Sequence, residues 1–217
     1  MKKALIFYGG WEGHTPKETA YLFRSMLEQD GFAVTVSDTL TVLDSFEEIQ
    51  KYDLFIPMWT MGQITGQQCA NICRAVAEGA GIAGCHGGMC DSFRDSTEWQ
   101  FMTGSQWVAH PGNGEAVYRV NLKPDDPFTE GLEDFTIQSE QYYVHVDPAV
   151  RVHATTEFPV VDGPHASNGK VTIPVVYTKF WGKGRVFYNS LGHTYEVFES
   201  FPAAKEMMRR GFLWATR

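Results

Sequence analysis

Through the first 85 residues, short apolar runs alternate with segments that carry helix signals, and this alternation constrains the fold more than any other feature. The runs at residues 4–8, 32–36, 53–58 and 81–85 have strand length and apolar character. After a loop at residues 9–14, Thr15 followed by Pro16 and Glu18 predicts an N-cap, a first helical residue and a capping box. Leu22, Phe23, Met26 and Leu27 then recur at helical spacing, and Gly31 ends the helix. Residues 46–50 predict a short helix, and a second capping box, Thr65-x-x-Gln68, opens a helix running to Gly79. Strands that alternate with helices in this way predict an α/β fold, a parallel sheet flanked by helices on both faces.

The second half changes character. Residues 116–122, 135–138, 142–146 and 151–155 predict short antiparallel strands. Residues 173–179 and 185–189 flank Trp181-Gly182-Lys183-Gly184, a hairpin signal. Residues 163–169 read as a surface loop, and residues 202–214 as a final helix with Met207, Met208, Gly211 and Phe212 inward. No repeat, low-complexity segment or linker interrupts the chain, so residues 1–217 are read as a single domain.

Ligands bind beyond the carboxyl ends of the strands in open parallel sheets. That rule gathers four loops: residues 9–14, residues 59–62, the turn Gly84-Cys85-His86-Gly87-Gly88, and Gly192-His193. The glycine-rich turn matches the strand-to-helix elbow Gly-x-Nu-x-Gly, with His86 at the nucleophile position and expected at an exposed tip. A helix starting there would disfavour the imidazolium and leave a neutral ring fit for general-base or metal-ligand work. Two other readings stay open. In one, Cys85 is the reactive residue, although its place at the strand's end turns it inward; in the other, the turn is only a tight connection with a hydrogen-bonded histidine.

The net charge of −8, with no basic run longer than Arg209-Arg210, leads us to expect no nucleic-acid partner. The apolar stretch after Met1-Lys2-Lys3 stops at Gly9-Gly10, too soon for a signal peptide, and no stretch approaches membrane-spanning length. A cytoplasmic protein without a membrane partner is expected. Cys69, Cys73, Cys85 and Cys90 form no Cys-x-x-Cys pair; Cys69 and Cys73 share a helix face and read as free, buried thiols. Aromatic residues make up 14% of the chain, many near glycines and histidines, which suits a pocket that stacks on a sugar-like ligand.

The chain resembles the ThuA-like (trehalose-utilisation) proteins over nearly its whole length. The resemblance rests on Gly9-Gly10 followed by His14, Tyr52-Asp53-Leu54, the elbow with His86, and Trp99. It continues through the segment 104–111 with His110, Asp126-Pro127-Phe128-Thr129-Glu130-Gly131-Leu132 and Glu140-x-Tyr142. Pro174-Val175-Val176-Tyr177 follows, and the run from Gly182 through Tyr188-Asn189-Ser190-Leu191-Gly192-His193 is the most specific piece. Tyr177 and Ser139-Glu140 stand where family members usually have Trp and Asp-Glu. The resemblance implies a flavodoxin-like, class I glutamine amidotransferase-like fold and a role in sugar catabolism. The amidotransferases use a cysteine at the elbow. With His86 there, glutamine hydrolysis through a thioester is not expected, since imidazole cannot replace the thiolate in that acyl transfer.

Within that frame His86 and Glu140 are the expected acid–base residues, and His86, His110, His193 and Glu140 the expected ligands of a divalent metal such as zinc. His14, Trp11, Trp59 and Tyr142 are expected to contact a small carbohydrate. His145, His153 and His165 are read as structural or surface residues. No nucleotide cofactor is expected, and the antiparallel half offers sheet edges for a homo-oligomer. Two classes of function follow: an enzyme acting on a disaccharide or 3-keto sugar, or a non-catalytic binding or assembly protein on the same scaffold.

Overall fold

The computed structural model describes residues 1–217. Five strands run parallel: β1 (Lys3–Gly10), β2 (Ala33–Ser37), β3 (Leu54–Thr60), β4 (Gly81–Cys85) and, from far later in the chain, a strand at Gly184–Asn189. Helices α1 (Pro16–Gln29), α2 (Phe46–Ile49) and α3 (Gly66–Ala77) connect the first four. A single turn, α4 (Gly87–Cys90), then leads to α5 (Thr97–Thr103). The second half supplies β5 (Ser105–Ala109), β6 (Val117–Leu122), β7 (Phe135–Gln138), β8 (Tyr143–Val146), β9 (Arg151–Phe158) and β10 (Val171–Trp181). The chain closes with β11 (Gly184–Asn189), α6 (Glu196–Ser200) and α7 (Pro202–Ala215).

Nine strands form one sheet in the order β2-β1-β3-β4-β11-β10-β9-β6-β7, while β5 and β8 pair separately. The order makes β11 the hinge of the fold. It runs parallel to β4 on one side and antiparallel to β10 on the other, so the hairpin at Trp181–Gly184 joins the two halves. The α/β class, the parallel half and the antiparallel continuation are as the sequence predicts.

Alternation along the strands builds two cores. Ala4 and Ile6 of β1 face α1 and α7, with Phe23, Met207 and Phe212. Leu5 and Phe7 face the other way, towards α3 and α5, with Ile72, Val76 and Trp99. Side chains two apart share a sheet face, so a strand buried on both sides reads as an unbroken apolar run. Phe7, Phe23, Trp99 and Phe212 are fully buried, and each such side chain contributes about 1.5–3 kcal/mol of burial free energy.

Several local expectations need correction. The Thr65–Gln68 capping box forms, with both reciprocal bonds present. The Thr15–Glu18 box does not: Thr15 is left-handed at φ 45°, its side chain caps nothing, and its hydroxyl accepts from the Tyr195 N–H at 3.1 Å. The cause is the 3-10 turn at Glu12–His14, which swings His14 inward and leaves Thr15 to reverse the chain. Strand β5 and helices α5 and α6 carry no strong periodicity, so the sequence does not predict them; β9 runs three residues past its expected end because it pairs with the long β10. Of the structural and surface readings, His153 takes the structural one. It is buried, donates from Nδ1 to Asp126 at 2.8 Å, and has Nε2 2.8 Å from the Thr178 hydroxyl. His145 is exposed and His165 half-buried.

Candidate active site at the carboxyl edge of the sheet

The elbow forms as a strained turn. Strand β4 ends at Cys85, and His86 adopts φ 47°, ψ −138°, a backbone conformation that costs on the order of 1–3 kcal/mol for a non-glycine residue. The strain is held from both sides: the His86 N–H donates to Asn189 O at 2.8 Å, and the His86 carbonyl accepts from the Tyr188 hydroxyl at 3.2 Å. Cys85 turns inward, fully buried, with Sγ 3.9 Å from Met58 Sδ. Gly87 has no room for a side chain, because a Cβ there would lie 2.8 Å from His14 Nδ1. That bareness lets His14 pack directly on the elbow.

His86 is not at an exposed tip. It is 2% exposed, beneath Tyr142, whose ring stacks on it at 3.8 Å between centroids. Burial lowers its pKa to about 3, against the opposing effect of the hydrogen bond to Glu140. The neutral ring expected from a helix dipole is thus produced by desolvation, since α4 is only four residues long.

The tautomer follows from the partners. Nδ1 of His86 stands 2.8 Å from the Ser190 carbonyl, which can only accept, so Nδ1 carries the proton. Nε2 then presents a lone pair to Glu140 Oε2 at 3.1 Å. Burial alone would raise the Glu140 carboxyl, but the imidazoles of His14, His193 and His86 packed around its oxygens reverse this and hold it well below the usual carboxylate range. A neutral imidazole nitrogen and an ionised carboxylate oxygen are therefore set face to face as two acceptors. The arrangement is unfavourable unless a cation stands among them.

Two further histidines complete the cluster. His14 Nε2 is 3.7 Å and His193 Nδ1 is 3.1 Å from the same Glu140 Oε2. His193 Nδ1 is buried and has no hydrogen-bond partner. One ligand atom from each of His14, His86, His193 and Glu140 lies within 4.8 Å of the others. In a tetrahedral zinc site with bonds of about 2.0–2.1 Å, neighbouring ligand atoms are about 3.3 Å apart, so the cluster fits a divalent cation. His14 and His86 also each engage the other ring nitrogen, with Thr60 Oγ1 at 2.8 Å and Ser190 O at 2.8 Å, as metal-ligating histidines do.

The structure thus brings together His86, His193 and Glu140 of the expected ligand set. It replaces His110 with His14 in the inner cluster, because the 3-10 turn carries His14 over the elbow. His110 stands at the rim, its Nδ1 3.8 Å from Glu140 Oε1 and without a hydrogen-bond partner. Around this floor are Trp11, 46% exposed with its ring 4.7 Å from His14, and Trp59, half-buried at the end of β3 with an unpartnered indole N–H. The sequence reading missed Thr60, although it ends β3 within the segment 59–62 already placed at this edge. It also missed Trp107 on β5, whose ring lies 5.4 Å from His110 and 6.4 Å from Tyr142. Arg94, paired bidentately with Asp91 at 2.6 and 2.9 Å, places its guanidinium 4.5 Å over the Trp107 ring.

The family model for trehalose utilisation, ThuA, matches residues 3–215. The chain belongs to the ThuA family. The ThuA fold is shared with a ThuA-like protein from Bacteroides uniformis at 19% identity and TM-score 0.74, covering 99% of this chain and 91% of that one. A ThuA-like protein from Parabacteroides merdae aligns at 18% identity and TM-score 0.74, over 99% and 89% of the two chains. A cytoplasmic protein from Salmonella typhimurium aligns at 12% identity and TM-score 0.70, over 99% and 100%. No match was found among curated proteins. ThuA membership sets the chain in the context of trehalose utilisation, and no helix is long and apolar enough to cross a membrane.

The site predicts a pH dependence of stability. An unfolded histidine titrates near 6.5 and folded His86 near 3, so between those values the unfolded chain binds the extra proton. Stability is full above the upper value and falls as pH drops towards the lower one. Urea unfolding of chelator-treated protein should show a loss of about 2 kcal/mol between about pH 6.5 and pH 5. Equal stability at the two values would mean that His86 is protonated in the native state.

Proposed function

We propose that this ThuA-family chain is a cytoplasmic, divalent-metal-dependent enzyme of sugar catabolism that cleaves a 3-keto disaccharide. The observation that carries the reading is the convergence of His14, His86, His193 and Glu140 within 4.8 Å at the ligand-binding edge of the sheet, with an acceptor facing an acceptor at its centre. The exposed Trp11 and the unpartnered N–H groups of Trp59 and Trp107 suit a ligand that is apolar on its ring faces and rich in hydroxyls at its edges.

A 3-keto sugar suits this site chemically. The ketone acidifies the neighbouring C2–H. A base removes that proton, the electron pair forms a C1=C2 double bond, and the glycosidic C1–O bond breaks, its oxygen leaving with a proton. Water then adds its hydroxyl to C1 and a proton to C2, so one disaccharide and one water become two monosaccharides. A divalent metal held by His14, His86, His193 and Glu140 would supply Lewis-acid polarisation of the sugar oxygens. Glu140, with its depressed pKa, is a weak base and serves to hold the cation together with His86. In this reading His110, at the rim with an unpartnered Nδ1, carries the proton between C2 and the departing oxygen. Tyr142 covers His86 and excludes water from the floor.

The test is metal analysis of protein purified without a polyhistidine tag, followed by NMR of the products from a 3-keto disaccharide. The expected result is about one equivalent of metal in the histidine cluster, with turnover lost to chelator and restored by Zn²⁺. Absence of metal with chelator-insensitive turnover overturns the metal role. Thermal stabilisation by sugars without turnover of any of them establishes a binding protein instead.

A further inference from the structure

We propose that Cys69, Cys73 and Glu98 form a second cation site, separate from the histidine cluster, that takes a thiophilic d10 cation such as Zn²⁺, Cd²⁺ or Cu⁺. Cys69 and Cys73 lie one turn apart on α3, and Glu98 lies in the first turn of α5. One ligand atom from each lies within 4.8 Å of the other two. The two thiols are buried and the carboxylate is exposed, so the group is open to solvent from the Glu98 side.

The spacing of the sulfurs carries the argument. Cys69 Sγ and Cys73 Sγ are 3.9 Å apart. Two thiolates bound at about 2.3 Å to one tetrahedral cation stand about 3.8 Å apart, so the helix already holds the pair at the required bite. The same geometry disfavours a disulfide. Helical residues four apart have Cβ atoms about 5–6 Å apart, whereas a disulfide needs about 3.5–4.5 Å, so bonding the sulfurs would distort α3. Ser96, which caps α5 by accepting from the Trp99 N–H, places its hydroxyl 3.3 Å from Cys69 Sγ. Binding a divalent cation replaces the thiol protons, which leave to solvent, and no redox change is involved.

The site has a structural consequence. It ties α3 to α5, and α5 leads directly into β5, which carries Trp107 to the rim of the histidine cluster. A cation here would staple the helices that support that rim.

Cadmium is the probe. Reduced, chelator-treated full-length protein titrated anaerobically with Cd²⁺ should develop a saturable thiolate-to-cadmium charge-transfer band. Cys73→Ser should abolish the band, and Glu98→Gln should weaken cadmium binding about tenfold or more. His86→Asn should leave the band intact, which separates this site from the one assigned to catalysis. Cadmium should raise the Tm of Cys73→Ser less than that of the wild type. If Cys73→Ser fails to fold, Cys69→Ser serves the same comparison. A wild type without the band, or a band that survives loss of either cysteine, overturns the proposal.

Discussion

Glu140→Gln is expected to reduce metal affinity by on the order of 10²-fold or more, because loss of even a group that only supports a ligand costs about 10–100-fold. Turnover should fall by a comparable or larger factor. The substitution keeps the volume of the side chain and removes its charge. In the protein as it stands, Glu140 Oε2 lies 3.1 Å from His86 Nε2, 3.1 Å from His193 Nδ1 and 3.7 Å from His14 Nε2. Without a cation, an amide N–H can donate to the lone pair of His86 Nε2 where a carboxylate only repels it. Chelator-treated Glu140→Gln should therefore be at least as stable as chelator-treated wild type, while being the poorer metal binder. Isothermal titration with Zn²⁺ and urea unfolding read the two effects independently. Wild-type affinity in the variant would remove Glu140 from the ligand set, and a large loss of stability would make it a structural group.

Gly10→Ala is expected to cost on the order of 2–4 kcal/mol of folding stability and to weaken the site at a distance. Gly10 ends β1 at φ 79°, and a Cβ built there would lie 2.0 Å from the Thr60 carbonyl oxygen of the paired strand. The chain must shift to admit it. The Trp11 N–H donates to that same carbonyl, and the Thr60 hydroxyl holds His14 Nδ1 at 2.8 Å. Metal affinity should therefore fall even though Gly10 touches no ligand atom. Urea denaturation and zinc titration test the two halves; a stability change below about 0.5 kcal/mol would show that the strand ends adjust freely.

These two positions differ in how they could be read. Gly10 belongs to a glycine pair that visibly stops an apolar strand, so its role at a turn is local information. Glu140 sits in a segment without periodicity, before β8, and as a lone glutamate among tyrosines would ordinarily be solvated. It is 5% exposed because the antiparallel half folds back over the elbow, and only the family resemblance singled it out. Thr15 shows the opposite error. Its capping signal was strong but yielded to the turn that carries His14 inward. His14 consequently joined the inner cluster, while His110, with an equally plausible side chain, stayed at the rim.

The sequence by itself determined the α/β class, the helices and strands with strong period and the elbow, because each depends on neighbours a few residues away. The tertiary structure decided the burial of His86, the state of its ring and the membership of the cluster around it. Those depend on a carboxylate and a carbonyl brought in from 54 and 104 residues along the chain, and no local pattern encodes where such groups will meet.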